Sequence, residues 1–243
     1  MSWYAQDGRA ILLLIGYFAA FVGVLTFIKL YFSPPRELIR KGYHIFYSFS
    51  CIILIYYFDS WLTAVITISL FFLTAAIVLF FEEKFFSRKI FDLDREGDYN
   101  FREIIWQIML VLTMQILLII IFRPILAQPL HAIVGLLIWG VGDAAAAIVG
   151  KKYGRINFPG LIMSKKKTLA GTLALMISAG LTVILIAAFV EDFTLSGSYL
   201  LLYTFVMALT AGIVEGIARE GTDSLFMPLS TSLISYILFL ILA

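Results

Sequence analysis

Apolar runs about as long as a bilayer is thick recur along the whole of this chain. Eight of them are long enough, or nearly so, to cross roughly 30 Å of hydrocarbon as a helix. They lie near Ala10–Phe32, Ile39–Phe58, Trp61–Phe81, Ile104–Phe122, Leu126–Val149, Leu169–Val190, Tyr199–Ala218 and Leu225–Leu242. Lipid offers a peptide group no hydrogen-bond partner, so each run is expected to be helical. The sequence therefore predicts an all-α, polytopic integral membrane bundle of about eight transmembrane helices, forming a single domain over 1–243.

The composition excludes several other classes of protein. Only 14% of the residues are charged and 62% are hydrophobic, whereas soluble domains carry about 25% charged residues. Cys51 is the one cysteine, which excludes an internal disulfide and any multi-cysteine zinc or iron–sulfur site. The net charge of +2 gives no sign of a nucleic-acid partner, and we expect none. The first span lacks a small-residue cleavage site, so we expect it to be retained.

The basic residues would lie almost entirely on one side of such a bundle. With eight spans, 16 of the 18 Lys and Arg fall at one face, and only Arg9 and Arg123 fall opposite. Positive charge is retained in the cytoplasm. We therefore expect the connections 82–103, 150–168 and 219–224 on the cytoplasmic face and both termini on the opposite side.

Three carboxylates are the candidate catalytic acids of this face. Asp143 precedes Gly150 by seven residues, or about 10 Å of helix, and a carboxylate at that depth is costly enough to suggest a function. Glu215 lies about one turn inside the seventh span, and Asp223 precedes the eighth. Because carboxylates bind Mg²⁺, they are also candidates for holding a metal ion. Structural alternatives are an interhelical pair for Asp143, a pair with Arg219 for Glu215 and a helix cap for Asp223.

The Gly150–Lys167 connection, GKKYGRINFPGLIMSKKK, has the residue types that bind phosphate. Glycines let a backbone approach a ligand closely, and lysines supply mobile positive charge. Free N–H groups at the start of the sixth span would also attract an anion. A basic cluster that binds anionic lipid is the alternative. The candidate phosphate-binding residues here are Gly150, Lys151, Gly154, Lys165, Lys166, Lys167, Thr168, Gly171 and Thr172.

A third group, Arg40, Lys41 and His44, begins the second span at the same face. Snorkelling of basic side chains at a helix end would explain the first two residues equally well. A lone histidine is also often a structural group. We nevertheless include His44 among the catalytic candidates, because clusters far apart in sequence all reach one face. Carboxylates can hold Mg²⁺, lysines and a helix N-terminus can bind phosphates, and the membrane can supply a lipid substrate. Together these groups are typical of phosphoryl or nucleotidyl transfer onto a lipid.

Four motifs at these positions resemble those of a known family. They are RKGYH at 40–44, GDAAAAIVGKKYGR at 142–155, KKKTLAGT at 165–172 and EGIAREGTDSLFMPL at 215–229. In order and spacing they are similar to the CTP-dependent polyprenol kinases, which include dolichol, phytol and farnesol kinases and the related CTP-dependent diacylglycerol kinase. The resemblance covers the second half of the chain and one early helix.

The resemblance implies a membrane kinase that transfers the γ-phosphate of CTP to the hydroxyl of an isoprenoid alcohol. The alcohol would be of the phytol, farnesol, geranylgeraniol or dolichol type and would come from the bilayer. Mg²⁺ is the implied cofactor, held by Asp143 and Asp223, and one of these or Glu215 would orient or deprotonate the hydroxyl. The lysines of the 150–168 connection would neutralise the triphosphate. The phosphate or headgroup site would be completed by Arg40, Lys41 and His44.

Two departures from the family pattern leave alternatives open. Ala170 stands where the family usually has Glu, and Ser224 stands where it usually has Asn. Phosphatidate cytidylyltransferases share a similar GD…GR and KKTWEG run, so a CDP-lipid synthase is one alternative, although their closing HGG…DR…DS pattern is absent. A non-enzymatic lipid transporter is another, although transporters place polar sites near the midplane and often contain repeats, which this chain lacks.

Overall fold

A computed structural model describes residues 3–85, 101–157, 167–218 and 221–243 of the chain. These residues form eight α-helices, all long and apolar enough to cross a membrane, and no strand. This confirms the predicted polytopic helical bundle. The helices are α1 Trp3–Phe32, α2 Arg36–Ile52, α3 Trp61–Phe85, α4 Phe101–Ile120, α5 Pro129–Tyr153, α6 Leu169–Phe189, α7 Gly197–Ile217 and α8 Asp223–Leu242.

Several predicted site residues lie outside the described part of the chain. Lys165 and Lys166 are among them, together with Arg219 and most of the 82–103 connection. Of the 150–168 connection, the structure describes 150–157 and 167–168.

The boundaries of α5 differ from the sequence prediction at both ends. The helix begins at Pro129 rather than Leu126, because a proline at the first helical position costs no hydrogen bond and Ala127 adopts a positive φ of 54°. It also continues through Gly150 to Tyr153, so the connection predicted to start at Gly150 is helical for its first four residues. Two π-helical turns, Ile53–Tyr57 and Ile121–Ile125, extend α2 and α4.

Successive helices run antiparallel, which brings their charged ends together. In the first pair, the Tyr17 hydroxyl donates to the Phe46 carbonyl at 2.7 Å, and Leu25 lies against Gly42. The ends of α1, α3, α5 and α7 therefore lie on the same side as the starts of α2, α4, α6 and α8. We call this side the charged end of the bundle.

The bundle has two apolar cores, and α2 and α4 contribute to both. The larger core surrounds α5, the most buried span, which packs against α6, α8 and α2. The smaller core joins α1 and α3 to α2 and α4. One face of α2 therefore meets α5, while other faces meet α1 and the smaller core. We call the part of the bundle around this smaller core its apolar half.

Candidate active site at the charged end

Five helix ends enclose a cavity of about 420 Å³ at the charged end. They are the start of α2, the end of α5, the start of α6, the end of α7 and the start of α8. The side chains and backbone that line it are Glu37, Arg40, Asp143, Ala146, Ala147, Gly150, Lys151, Lys167, Thr168, Gly171, Thr172, Glu215 and Asp223. Residues from four separated motifs of the sequence thus meet in one place.

Asp143 binds one side chain of α2 and lies close to a second. Lys41 Nζ donates to Asp143 Oδ2 at 2.5 Å, and His44 Nδ1 lies 3.1 Å from the same oxygen. Lys41 and His44 are three residues apart, so both lie on one face of the helix. The Lys41 side chain is only 5% exposed and that of Asp143 16%, which makes this a largely desolvated pair. Two buried opposite charges can be kept together where either alone would be expensive.

Lys167 connects three helix ends. Its ammonium group donates to the Glu215 carbonyl at 2.6 Å, and it lies 3.2 Å from Glu215 Oε1 and 3.8 Å from Asp223 Oδ2. The residue precedes α6, whereas its partners lie near the end of α7 and at the start of α8. Lys167 therefore brings the second and third predicted catalytic carboxylates to the same cavity as Asp143.

Glu215 retains one oxygen that no described residue satisfies. Oε1 pairs with Lys167, while Oε2 is buried and has no hydrogen-bond partner among the described residues. A buried carboxylate oxygen without a donor is costly in a folded protein. Such an atom beside a cavity is where a ligand proton or a cation would find an acceptor.

The start of α6 opens onto the same cavity. Thr168 is the N-cap, and its Oγ1 accepts a hydrogen bond from the Gly171 N–H at 3.2 Å. Lys167, Thr168, Gly171 and Thr172 all line the cavity. The Leu169 N–H donates to the Ile156 carbonyl at 3.0 Å and that of Thr172 to the Thr168 carbonyl at 3.0 Å, so an anion here would be attracted mainly by the helix dipole and Lys167.

Glycine is required where α5 and α6 approach each other. A Cβ on Gly171 would lie 2.9 Å from the Ala146 carbonyl oxygen and 3.4 Å from the Gly150 Cα. A Cβ on Gly154 would lie 2.6 Å from Thr168 Oγ1. Gly150, Gly154 and Gly171 thus let the start of α6 reach the end of α5, and their phosphate-binding role stays a prediction.

Arg40 has a partner that sequence reasoning missed. Its guanidinium binds Glu37 with contacts of 2.5 and 3.3 Å, and both residues line the cavity. The signal for Glu37 was its i, i+3 spacing from Arg40 on a helix that begins at Arg36. Sequence reasoning also missed the partner of Glu215. It offered Arg219, which lies outside the described residues, whereas the structure pairs Glu215 with Lys167.

The cavity gathers most of the predicted site, without a three-residue metal cluster among the described residues. Among the described residues, no three His, Cys, Asp or Glu side chains form a group that could hold a metal ion. His44 reaches the site through Asp143 and does not line the cavity, and Lys41 is also absent from its lining. The catalytic, phosphate-binding and metal roles of these residues stay predictions.

Comparison with known proteins identifies two curated relatives. A phytol kinase from Synechocystis is 28% identical over 111 residues, which cover 46% of each chain. A dolichol kinase from Saccharomyces cerevisiae is 30% identical over 107 residues, which cover 44% of this chain and 19% of the relative. The chain is a relative of phytol kinase and dolichol kinase. This confirms the resemblance to the polyprenol kinase family that its motifs indicated.

The likeness to these relatives is partial. The matched region spans about half of the phytol kinase and about a fifth of the dolichol kinase. No family model matches the chain, and no solved structure is significantly similar to it.

Proposed function

We propose that this protein is a membrane kinase that transfers the γ-phosphate of CTP to the hydroxyl of an isoprenoid alcohol. One observation carries the proposal: Asp143, Lys167, Glu215 and Asp223 line a single cavity together with the start of α6. Asp143 lies ten residues before the end of α5, which is about 15 Å of helix. The cavity therefore extends from the charged end to a depth where a lipid hydroxyl can reach it.

The basic groups of the cavity would bind the triphosphate. Lys151 and Lys167 line it, and Lys165 and Lys166 directly precede Lys167 in the sequence. Lysine supplies a compact positive charge for phosphate oxygens, and the N–H groups of α6 add hydrogen bonds. Arg40, which also lines the cavity, would bind the outer phosphates or the lipid headgroup.

The carboxylates fit a Mg²⁺ ion that arrives with the nucleotide. Mg²⁺ in such sites is usually held by one or two carboxylates, with phosphate oxygens and water completing the shell. Four carboxylates line the cavity when Glu37 is counted, and Glu215 Oε2 is buried without a hydrogen-bond partner among the described residues. Asp143 and Asp223 would hold the ion, which would neutralise charge on the phosphates when bound.

The present ion pairs would then be exchanged for ligand contacts. Lys41 is now paired with Asp143, and Lys167 lies between Glu215 and Asp223. A nucleotide that draws Lys167 towards its phosphates would free both of its carboxylates. The site would thus be held together by lysines before substrate binds and would be reorganised by it.

In the reaction, the alcohol oxygen would attack the γ-phosphorus while the bond to the bridging oxygen of the β-phosphate breaks. CDP would leave with that electron pair, and the hydroxyl proton would pass to a carboxylate of the site. Glu215, with its unsatisfied oxygen, or one of the aspartates would accept the proton and orient the hydroxyl. Positioning and charge neutralisation would supply most of the rate enhancement.

We further propose that the charged end faces the cytoplasm, where the nucleotide is available. The basic residues concentrated there support this orientation by the positive-inside rule. Both termini would then lie on the other side of the membrane. Modification of single cysteines placed at the two ends, in intact and permeabilised cells, tests it.

The function is tested by a matrix of nucleotides against lipids, with every product identified. We expect label from γ-labelled CTP to move to a prenol and CDP to be released. Release of pyrophosphate with a lipid phosphate as acceptor would instead identify a CDP-lipid synthase. Absence of transfer from both CTP and ATP to any prenol or diacylglycerol would refute the kinase, and proteoliposome uptake without nucleotide turnover would identify a transporter.

A further inference from the structure

A second cavity, of about 360 Å³, lies in the apolar half of the bundle. Helices α1, α2, α3 and α4 form it, and none of the described residues that line it is charged. Aromatic rings supply half of its wall: Phe18, Phe21, Tyr43, Tyr47, Phe71 and Phe72. An apolar chain could be buried there, whereas a phosphate or a zwitterionic headgroup would find no charged partner.

This second cavity lies directly behind the candidate active site. Lys41 and His44 of α2 point to Asp143, while Tyr43 and Tyr47 of the same helix line the apolar cavity. Trp139 of α5 joins the two regions, because its ring centroid lies 4.9 Å from that of His44 and 6.3 Å from that of Tyr47. A continuous row of side chains thus connects the apolar cavity to the Asp143 carboxylate.

The two cavities also overlap in depth. Leu79 lines the apolar cavity six residues before the end of α3, or about 9 Å from the charged end. Phe71 lines it fourteen residues before that end, or about 21 Å. On α2, Tyr43 and Tyr47 of this cavity flank His44, whose Nδ1 lies 3.1 Å from Asp143 Oδ2, so the cavity reaches the level of Asp143. The apolar cavity therefore runs from the level of the site towards the middle of the bilayer.

The wall formed by α3 faces outward. Thr74 and Val78 line the cavity and are exposed, Val78 by 45%. In a membrane, a residue exposed in the middle of a span meets lipid tails, so a hydrophobic chain would enter here from the bilayer. A second copy of this chain could cover the same residues, but it would not fill a cavity that extends inward to Phe21 and Tyr47.

We propose that this apolar cavity holds the isoprenoid chain of the alcohol whose hydroxyl is phosphorylated beside Asp143. The proposal rests on the proposed function and adds to it a chain-binding site. Burial of each methylene from water is worth about 0.8 kcal/mol, but transfer from lipid gains far less, so the cavity acts mainly by position and shape. Its size and aromatic walls would select chain length and hold the hydroxyl at the level of the carboxylate.

Filling the cavity tests the proposal. Ala75 lines it and Ala76, the next residue of α3, does not, so A75F and A76F form a matched pair. We expect A75F to raise the KM for geranylgeraniol at least tenfold, to affect farnesol less, and to leave the KM for CTP within twofold. A76F should leave all three values within twofold. Equal effects of the two variants, or no effect of A75F, would overturn the proposal.

A direct measurement guards against misfolding of the variants. In the wild-type protein, a farnesol analogue with a photoreactive diazirine on its terminal isoprene unit should label α1–α3 around Phe18, Phe71 and Phe72. Unlabelled farnesol should compete, and phosphatidylcholine should not. Labelling confined to α6–α8, or equal competition by phosphatidylcholine, would refute the chain site even if CTP turnover is found. Labelling of the cavity without phosphorylation of any prenol would refute the kinase and retain the site.

Discussion

At the end of the bundle opposite the active-site cavity, Asp7 and Arg123 bind backbone groups, whereas the charges of the cavity mostly bind other side chains. Asp7, which is 3% exposed, accepts a hydrogen bond from the Asp59 N–H at 2.7 Å. Arg123 donates to the Phe58 carbonyl at 2.6 Å and to the Asp59 carbonyl at 3.2 Å. Both side chains thereby hold the connection between α2 and α3.

The kind of partner, backbone or side chain, distinguishes charges with a structural role from the candidate catalytic charges. A carboxylate that binds a peptide N–H cannot give up that contact without releasing the turn. Asp143 instead faces side chains, Lys41 at 2.5 Å and His44 at 3.1 Å, so a change there releases no backbone turn. Lys167 has an intermediate character, since it binds the Glu215 carbonyl as well as two carboxylates. We therefore expect substitutions at the two ends to affect different measurements.

The largest expected effect is on turnover. Asp143→Asn keeps the size of the side chain but removes the charge that would hold the metal, so kcat with CTP and prenol should fall by about a hundredfold or more. The protein should still insert and elute as the wild type does in detergent. Activity above about a tenth of the wild-type value would show that Asp143 is structural.

The next effect is on nucleotide binding. Replacing Lys165, Lys166 and Lys167 together by Gln should raise the KM for CTP about tenfold or more, because the site loses positive charge that would face the triphosphate. A fall in kcat at unchanged KM would place these lysines on the transferring phosphoryl group. If neither value changes while binding to anionic liposomes weakens, the lysines bind lipid headgroups.

The contact of α5 with α6 predicts a loss of stability. Gly171→Ala would force a Cβ to within 2.9 Å of the Ala146 carbonyl oxygen and should cost about 1–3 kcal/mol. Thermal unfolding in detergent measures it. Gly16→Ala is the matched control, because a Cβ there meets nothing within 4 Å. Equal melting temperatures of the two variants would show that the helices separate without cost.

The smallest effect is expected at the opposite end. Asp7→Asn weakens a charge-assisted hydrogen bond to backbone and should lower stability by about 1 kcal/mol. The kcat of the folded protein should stay unchanged. Asp59→Asn is the control, since Asp59 is exposed and uses only its backbone atoms in these contacts. A loss of turnover in Asp7→Asn without loss of stability would remove the distinction between the two ends.

Element boundaries show where prediction from sequence ended. Gly150 was expected to begin a loop, because glycine and two lysines end many apolar spans. The helix continues to Tyr153, and Gly150 serves the packing instead, since a Cβ there would lie 3.4 Å from the Gly171 Cα. Glu37 was missed for a similar reason: its position in the cavity depends on how α2 is rotated against α5.

The sequence by itself determined the number of membrane-crossing helices and which of their ends carry charge. Both depend on runs of about twenty residues and on the residues between them, which are local properties. Only the tertiary structure decided which charges meet. Asp143 binds Lys41 across 102 residues of sequence, and Lys167 reaches Glu215 across 48. Such pairs depend on how the packed helices are rotated and how closely they approach. The sequence alone does not tell which of the several basic residues at the charged end will meet a given carboxylate.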